Sequence, residues 1–454
     1  MMGVVKTTAT RWSYMPLFHR RRAEGSEKIY TLKTEDGRGR TVVLAHVAIN
    51  QVITWLTTGM FYTSFLMIYG INIVNVGIIT FIPYIASTFG VFSPSVLERF
   101  QKRRVFLAVT RFLYYLLQIL GLTLVPVIIK NPDARIVALI IIVFLANVIN
   151  AITGSGYTLW HIKFVPPAMR ADYFSIQSLV ANTIGIGASL VSGIVADALS
   201  ASPYADAVII GLRYVAFALA MLDVFLLCLP KEPAYEHSHP PRLRDIFSLP
   251  FHSRPFLMTM AVIFLFTFFN AIPSSSLNYY LINDVGVEYT FVYALNMAYP
   301  LVQLFLLPVA KKYVRKHGWF ETFALFTLGS LPTWLMYSCV TAGNYLWLLA
   351  TVRLTQHFFG TFYNLANANL IYTNLPPEDQ TNYLSFHTIA VNVATFLGMM
   401  AGTGFVAWCG DRTATLFGLT FTSVQMLLWM QAAGYVLLPL FIFLNLKTLK
   451  TNNY

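Results

Sequence analysis

From residue 42 to residue 446 the chain is a succession of apolar runs, each close to the roughly 20 residues that a helix needs to cross a hydrocarbon layer of about 30 Å. Twelve such runs are read: 42–69, 73–94, 104–129, 135–162, 172–199, 207–229, 255–281, 288–310, 319–341, 344–373, 381–409 and 422–446. Lys130-Asn131-Pro132, Pro166-Pro167, Pro376-Pro377 and Gly410-Asp411-Arg412 punctuate them. Only 11% of the 454 residues are charged and 57% are apolar. A soluble domain carries about 25% charged residues. That scarcity excludes a soluble enzyme, a disordered chain and a disulfide scaffold. The expected fold class is an all-α polytopic membrane protein of twelve transmembrane helices.

The net charge of +12 is explained by position. With the N-terminus placed in the cytoplasm, 25 of the 31 Lys and Arg fall on the cytoplasmic side. Only Lys130, Arg135 and Arg412 fall outside, and Arg111, Arg213 and Arg353 fall within runs. This is a positive-inside pattern, so no nucleic-acid partner is expected. The expected location is the plasma membrane, multi-pass, with both termini cytoplasmic. The first 41 residues are basic, with Arg20-Arg21-Arg22 and no apolar stretch of a signal peptide. Cys228, Cys339 and Cys409 have no motif spacing, so neither metal nor cofactor is expected.

The polar stretch 230–254 splits the runs six and six. A shift of 210 lays Pro166-Pro167 on Pro376-Pro377, Tyr173 on Tyr383, Ser175 on Ser385 and Asn182 on Asn392. A shift near 214 lays Pro94 on Pro308, each followed by a basic cluster. The organisation read is a cytoplasmic tail 1–41, a six-helix bundle 42–229, a central cytoplasmic loop 230–254, a second six-helix bundle 255–446 and a tail 447–454. Two parallel halves put a binding site near the midplane between them.

These features resemble the major facilitator superfamily. The segment Pro94-Ser95-Val96-Leu97-Glu98-Arg99-Phe100-Gln101-Lys102-Arg103 resembles that family's Gly-x-x-x-Asp-Arg-x-Gly-Arg-Arg loop, with Pro94 and Gln101 in place of the glycines. Pro166 to Tyr173 is similar to the Pro…Arg-Gly-x-Tyr segment of many bacterial members, with Ala171 in place of glycine. The resemblance implies alternating access between two rocking halves. It also implies a gating role at the cytoplasmic surface for Glu98 and Arg99, with Arg103 and Arg170 from the same motifs. The competing reading of these residues is a solvated basic loop that sets topology.

Polar side chains in hydrocarbon are costly and usually face protein or a water-filled cavity. In the fourth run Asn147, Asn150, Gly154, Tyr157 and His161 recur at helical steps of three and four. In the tenth, Arg353, His357, Gly360, Asn364 and Asn367 do the same. The first run carries Gln51, Trp55, Thr58 and Tyr62, and the seventh Asn270, Ser274 and Asn278. The resemblance implies that helices 1, 4, 7 and 10 line the cavity. The substrate-binding candidates are therefore Gln51, Trp55, Tyr62, Asn147, Asn150, Tyr157, Asn270, Asn278, Arg353, His357, Asn364 and Asn367. Polar and small residues also glue membrane helices together. Gly185, Gly187 and Gly193, and Gly398, Gly402 and Gly404, are read that way.

Amides, hydroxyls and aromatic rings suit a neutral hydroxyl-rich solute. Arg353 instead suits a carboxylate or phosphate, which its planar fork binds bidentately. Arg111 and Arg213 lie nearer run ends and are expected to snorkel. No carboxylate is read at mid-depth, so His357 is the titratable candidate for coupling to a proton. Uniport or exchange is the alternative. The function expected is movement of a small polar organic solute by alternating access. Export of amphiphilic drugs, organic-anion transport through Arg353 and a non-transporting membrane sensor are the alternatives. No catalytic constellation and no nucleotide-binding Gly-x-x-x-x-Gly-Lys-Ser/Thr loop is found, so neither an enzyme nor an ATP-driven pump is expected. The expected partners are a small-molecule substrate, the lipid bilayer and a coupling proton or cation, and a monomer is expected.

Overall fold

A computed structural model describes residues 30–100, 102–166, 169–230, 243–416 and 418–450. The Arg20–Arg22 cluster, Gln101, Pro167, most of the central loop and the last four residues lie outside the described residues.

Helical segments stand where the apolar runs predict them. α1 is Glu35–Thr57, continued after a break by Gly59–Ile68. It begins before residue 42 because Thr34 caps it, accepting the Gly37 N–H at 3.2 Å. Glu35 and Asp36 in its first turn favour the positive end of the helix dipole. The break bends α1 by 42° at Thr58, where Gly59 takes a left-handed φ of +60°. α2 is Ile73–Leu97, α3 Arg104–Ile128, α4 Pro132–Lys163, α5 Arg170–Ala198 and α6 Ala205–Cys228. After a short helix Leu243–Ser248 follow α7 (Arg254–Val285) and α8 (Tyr289–His317). α9 is Trp319–Gly329 with Leu331–Ser338, α10 is Tyr345–Thr373 and α11 is Gln380–Cys409. α12 is Ser423–Leu444, started by a Thr422/Gln425 capping box. The short hairpin Ala414–Leu416/Leu419–Phe421 joins α11 to α12.

Among the described residues, nine helices and the bent α1 pair are long and apolar enough to cross a membrane. The expectation of twelve such spans is met at ten positions. α9 is interrupted at Ser330, before Pro332, and α10 carries the polar stripe.

Packing repeats at an interval of six helices. α1 packs on α5 and α6, as α7 does on α11 and α12. α2 packs on α4, as α8 does on α10, and α3 packs on α4 and α6, as α9 does on α10 and α12. α2 against α11 and α5 against α8 join the two sets.

Glycines let some of these backbones meet. Gly398 and Gly402 of α11 face the carbonyl oxygens of Phe268 and Ile272 in α7, so a Cβ at either would collide with backbone. Trp55 lies on Gly185, and Tyr293 on Gly193. Gly187 and Gly404, read as glue alongside them, face open space.

Arg213 does not snorkel. It is 2% exposed and caps a π-helical turn of α3, Leu116–Gly121. Its guanidinium donates to Thr123 Oγ1 (2.8 Å) and to the Gln118 and Ile119 carbonyls (3.2 and 3.3 Å). A π turn leaves carbonyls that need a donor, and Arg213 supplies it. Arg111 is buried as well. It reaches Asp223 of α6 (3.4 Å) instead of the membrane surface, because burying an unpaired charge costs far more than pairing it.

Candidate functional site

A cavity of about 560 Å³ lies at mid-depth between the two helix sets. One face of α10 supplies Arg353, Gln356, His357, Gly360, Tyr363 and Asn364, the periodicity of a helix wall. α8 adds Asn296, Tyr299, Pro300 and Gln303, and α7 and α9 add Asn270 and Trp334. Trp55 of α1 and Asn182 and Ile186 of α5 close the far wall. The cavity shares Asn182, Ile186, Pro300 and Gln303 with a wider space of about 780 Å³ between α5 and α8. That space runs along the α5 residues Phe174, Ser175 and Ser178, toward the end of the molecule that carries the basic loops.

The hydrogen bonds in the wall decide what it offers. Asn270 Oδ1 accepts from Gln431 Nε2 (2.7 Å) and Tyr435 Oη (3.1 Å), so its amide N–H groups remain for a ligand. Tyr299 Oη accepts from Gln303 Nε2 (2.9 Å) and Asn364 Nδ2 (3.1 Å), so its own proton is left to donate. Arg353 Nη2 donates to Tyr337 Oη at 3.1 Å. Its charge has no partner in the wall, since no Asp or Glu lines the cavity among the described residues. His357 Nε2 donates to the Leu295 carbonyl at 3.0 Å. Gln356 is 7% exposed, and its Nε2 and the Trp334 Nε1 are buried without a partner. The wall thus sets unused donors of Asn270 and Tyr299 in the same cavity as a single guanidinium.

Of the candidates named from sequence, Trp55, Asn270, Arg353, His357 and Asn364 are brought together here. Gln51 packs beside Gly185, one turn from Trp55, and Asn278 and Asn367 sit on their helices away from this wall. Tyr62 lies under the Arg213 guanidinium, 5.7 Å from ring centroid to Cζ. The α4 stripe turns toward α3. Asn147 Nδ2 donates to Gln118 Oε1 (3.1 Å), Asn150 Oδ1 accepts from Arg111 (3.4 Å) and Tyr157 Oη donates to the Leu107 carbonyl (2.9 Å). Helices 1, 7 and 10 reach the cavity, whereas α4 gives way to α8 and α5. Asn296, Tyr299 and Gln303 recur at steps of three and four, the signal that could have found them.

At the basic end Glu98 pairs with Arg103 (3.2 Å), not with Arg99, which is exposed. Arg103 also donates to the Phe100 carbonyl (3.3 Å), so the pair closes its own loop. Arg170 Nε donates to the Val165 carbonyl (3.2 Å) and closes the α4–α5 turn.

The opposite end is shut. Asp197 of α5 accepts the backbone N–H of Tyr289 (3.0 Å) and of Thr290 (2.6 Å), the first two residues of α8. Glu288, at the N-cap position of α8, makes no side-chain cap, so the cap comes from the other helix set. Tyr289 also meets Ser64 (Oη to Oγ 2.5 Å) and stacks on Phe61 (centroids 5.2 Å).

No protein-family model matches the chain, and no curated protein matches it. Solved structures do match in fold. A mutant form of the nucleoside transporter NupG superposes with a TM-score of 0.67 at 12% identity, covering 90% of this chain and 99% of that one. A bacterial homologue of the iron transporter ferroportin in an inward-facing state gives 0.66 at 13% identity, covering 89% and 97%. A bacterial homologue of the human lysosomal transporter Spinster, inward-facing and occupied, gives 0.64 at 12% identity, covering 94% and 99%. The fold is thus an all-α, multi-pass membrane fold shared with these solved transporters.

Proposed function

We propose that this protein is a secondary transporter that carries a small, acid-bearing polar solute by alternating access. The observation that carries the reading is Arg353, a cation in a cavity wall that holds no carboxylate among the described residues. A carboxylate or phosphate would supply the missing charge and accept from the Arg353 guanidinium. In this reading the sets 42–229 and 255–446 move as two bodies, and the basic end, with both termini, is cytoplasmic. The transporters of similar fold support the class of activity and leave the solute open. A neutral hydroxyl-rich solute is the second reading, favoured by the amides and rings of Asn182, Asn270, Asn364, Trp55 and Tyr299.

A thermal-stability screen on the purified protein separates the two. A ligand at about 100 times its Kd adds roughly 2.7 kcal/mol to the folded state. Mono- and dicarboxylates or phosphorylated acids are expected to raise Tm where sugars and nucleosides do not. Stabilisation by neutral polyols alone would support the second reading, and stabilisation by amphiphilic cations alone would support drug export.

The trans cap at the closed end predicts a population shift. Losing an N-cap costs about 0.5–2 kcal/mol, a factor of roughly 2–30 in a two-state equilibrium. Asp197→Ala is expected to enlarge the population open at that end. Spin labels on Ser200→Cys and Glu288→Cys, with the three native cysteines replaced, should report a longer-distance component that grows by this factor. Unchanged distances would show that Asp197 holds no closure.

A further inference from the structure

The space of about 780 Å³ beside the cavity is walled by residues 174–186 of α5 and 297–303 of α8, with no other element among its described lining. At its rim Leu179 is 67% exposed and Leu301 57%. Leu179 lies nine residues after Arg170 and Leu301 ten before Lys311, roughly 14 and 15 Å of helix rise. The rim therefore stands at hydrocarbon depth, in the leaflet beside the basic end. An exposed leucine on a membrane helix is ordinary. A gap between two of them that leads inward is not. Behind the rim come Asn182 and Gln303, which also line the cavity, and across the cavity is Arg353. Polarity thus rises from rim to guanidinium along one continuous space.

The internal repeat supplies a comparison. The shift of 210 that lays Ser175 on Ser385 and Asn182 on Asn392 also lays Met297, Pro300 and Leu301 on Ser87, Gly90 and Val91. These second positions all line the matching seam, between α2 and α11, around a space of about 420 Å³. That seam is covered. The short helix Leu243–Ser248 lays Ile246, 1% exposed, against it. Tyr383 Oη of α11 donates to the Leu249 carbonyl (3.2 Å) and holds the segment there. Among the described residues, the lining of this seam shares no member with the cavity, whereas the α5–α8 seam shares four. Two equivalent seams thus differ: one is capped by the central loop, and one leads from hydrocarbon to Arg353.

We propose that the solute is an acid with an apolar tail, its head at Arg353 and its tail between α5 and α8, and that it enters from the bilayer through that seam. The proposal rests on the reading of Arg353 given above and narrows the acid to an amphiphilic one. The two spaces together suit such a molecule, since the inner one offers amide and phenol donors and the outer one an apolar rim.

The test compares butanoate, octanoate and octanol on the full chain in detergent, by thermal-shift titration. Burial of one methylene gives up to about a fourfold gain in affinity. Octanoate is expected to bind at least tenfold more tightly than butanoate. In the double variant Leu179→Ser, Leu301→Ser that gain is expected to fall below threefold, with butanoate unchanged. In Val91→Ser, at the capped seam, the gain should persist. Uptake of octanoate by micelles is common to all three proteins and cancels in the comparison. Should the double variant fail to fold, a second measurement decides. Octanoate with a nitroxide at its tail end should show dipolar contact with a label on Phe305→Cys, one turn beyond Leu301, and none with a label on Ser95→Cys at the equivalent position. The three native cysteines are replaced in both. No gain from chain length, an equal loss in Val91→Ser, or contact at Ser95→Cys overturns the proposal and leaves Arg353 as an acid site. A gain that octanol shares, undiminished in Arg353→Gln, would overturn the acid head instead, so the two failures are distinct.

Discussion

The Arg353→Gln protein is expected to bind a carboxylate ligand about 40- to 140-fold more weakly than the natural chain. A hydrogen bond to a charged group contributes about 1.5–3 kcal/mol, and 1.4 kcal/mol is a factor of ten. The upper half of that range applies where the pair is bidentate and shielded. Isothermal titration with the acid found in the screen measures the loss. Stability without ligand should change little, because Arg353 gives up one hydrogen bond to Tyr337 and a contact with its ring, and breaks no ion pair among the described residues. An affinity unchanged by the substitution would remove Arg353 from recognition and make it a partner of Tyr337 alone. A neutral ligand that survives the substitution would place recognition on Asn270, Tyr299 and Asn364.

The second large effect concerns folding. Gly402→Leu places a branched side chain against the Ile272 carbonyl, in the seam where α11 meets α7. Backbone cannot step aside as a flexible side chain can, so the helices must separate and lose the contact along the seam. The expected result is loss of the monodisperse peak in size-exclusion chromatography. Gly404→Ala, two residues away, faces open space and should elute and melt like the natural chain. Equal behaviour of the two variants would mean that α11 does not approach α7 this closely.

The positions of the helices were legible because a hydrocarbon span needs an unbroken apolar run, and such runs are local in sequence. The wall of α10 was legible for a related reason. Arg353, His357 and Asn364 recur on one helical face, and a cation among apolar residues is conspicuous. The same rule misdirected attention to α4, because periodicity reports a polar face without reporting what it meets. Asn147 and Asn150 meet Gln118 and Arg111 of α3. Their amides would look identical in sequence had they faced a ligand. Pairings across long separations were hidden altogether. Arg111 and Asp223 are 112 residues apart. Arg213 is drawn inward by a π turn that no local pattern announces. The motif assigns Glu98 and Arg99 to gating without naming their partners, and the acid is taken by Arg103 five residues on.

The cap that Asp197 places on α8 has one more consequence. In the alternating-access reading proposed above, a helix borrows the acceptor for its first amides from a body that departs when the closed end opens. Those amides then face water without a partner, so the first turn of α8 should fray in one state and hold in the other. Tyr289 and Thr290 thereby become a native clock for the cycle. Their deuterium uptake would rise with the fraction of time spent open at that end, with no label, substrate or mutation needed to read it.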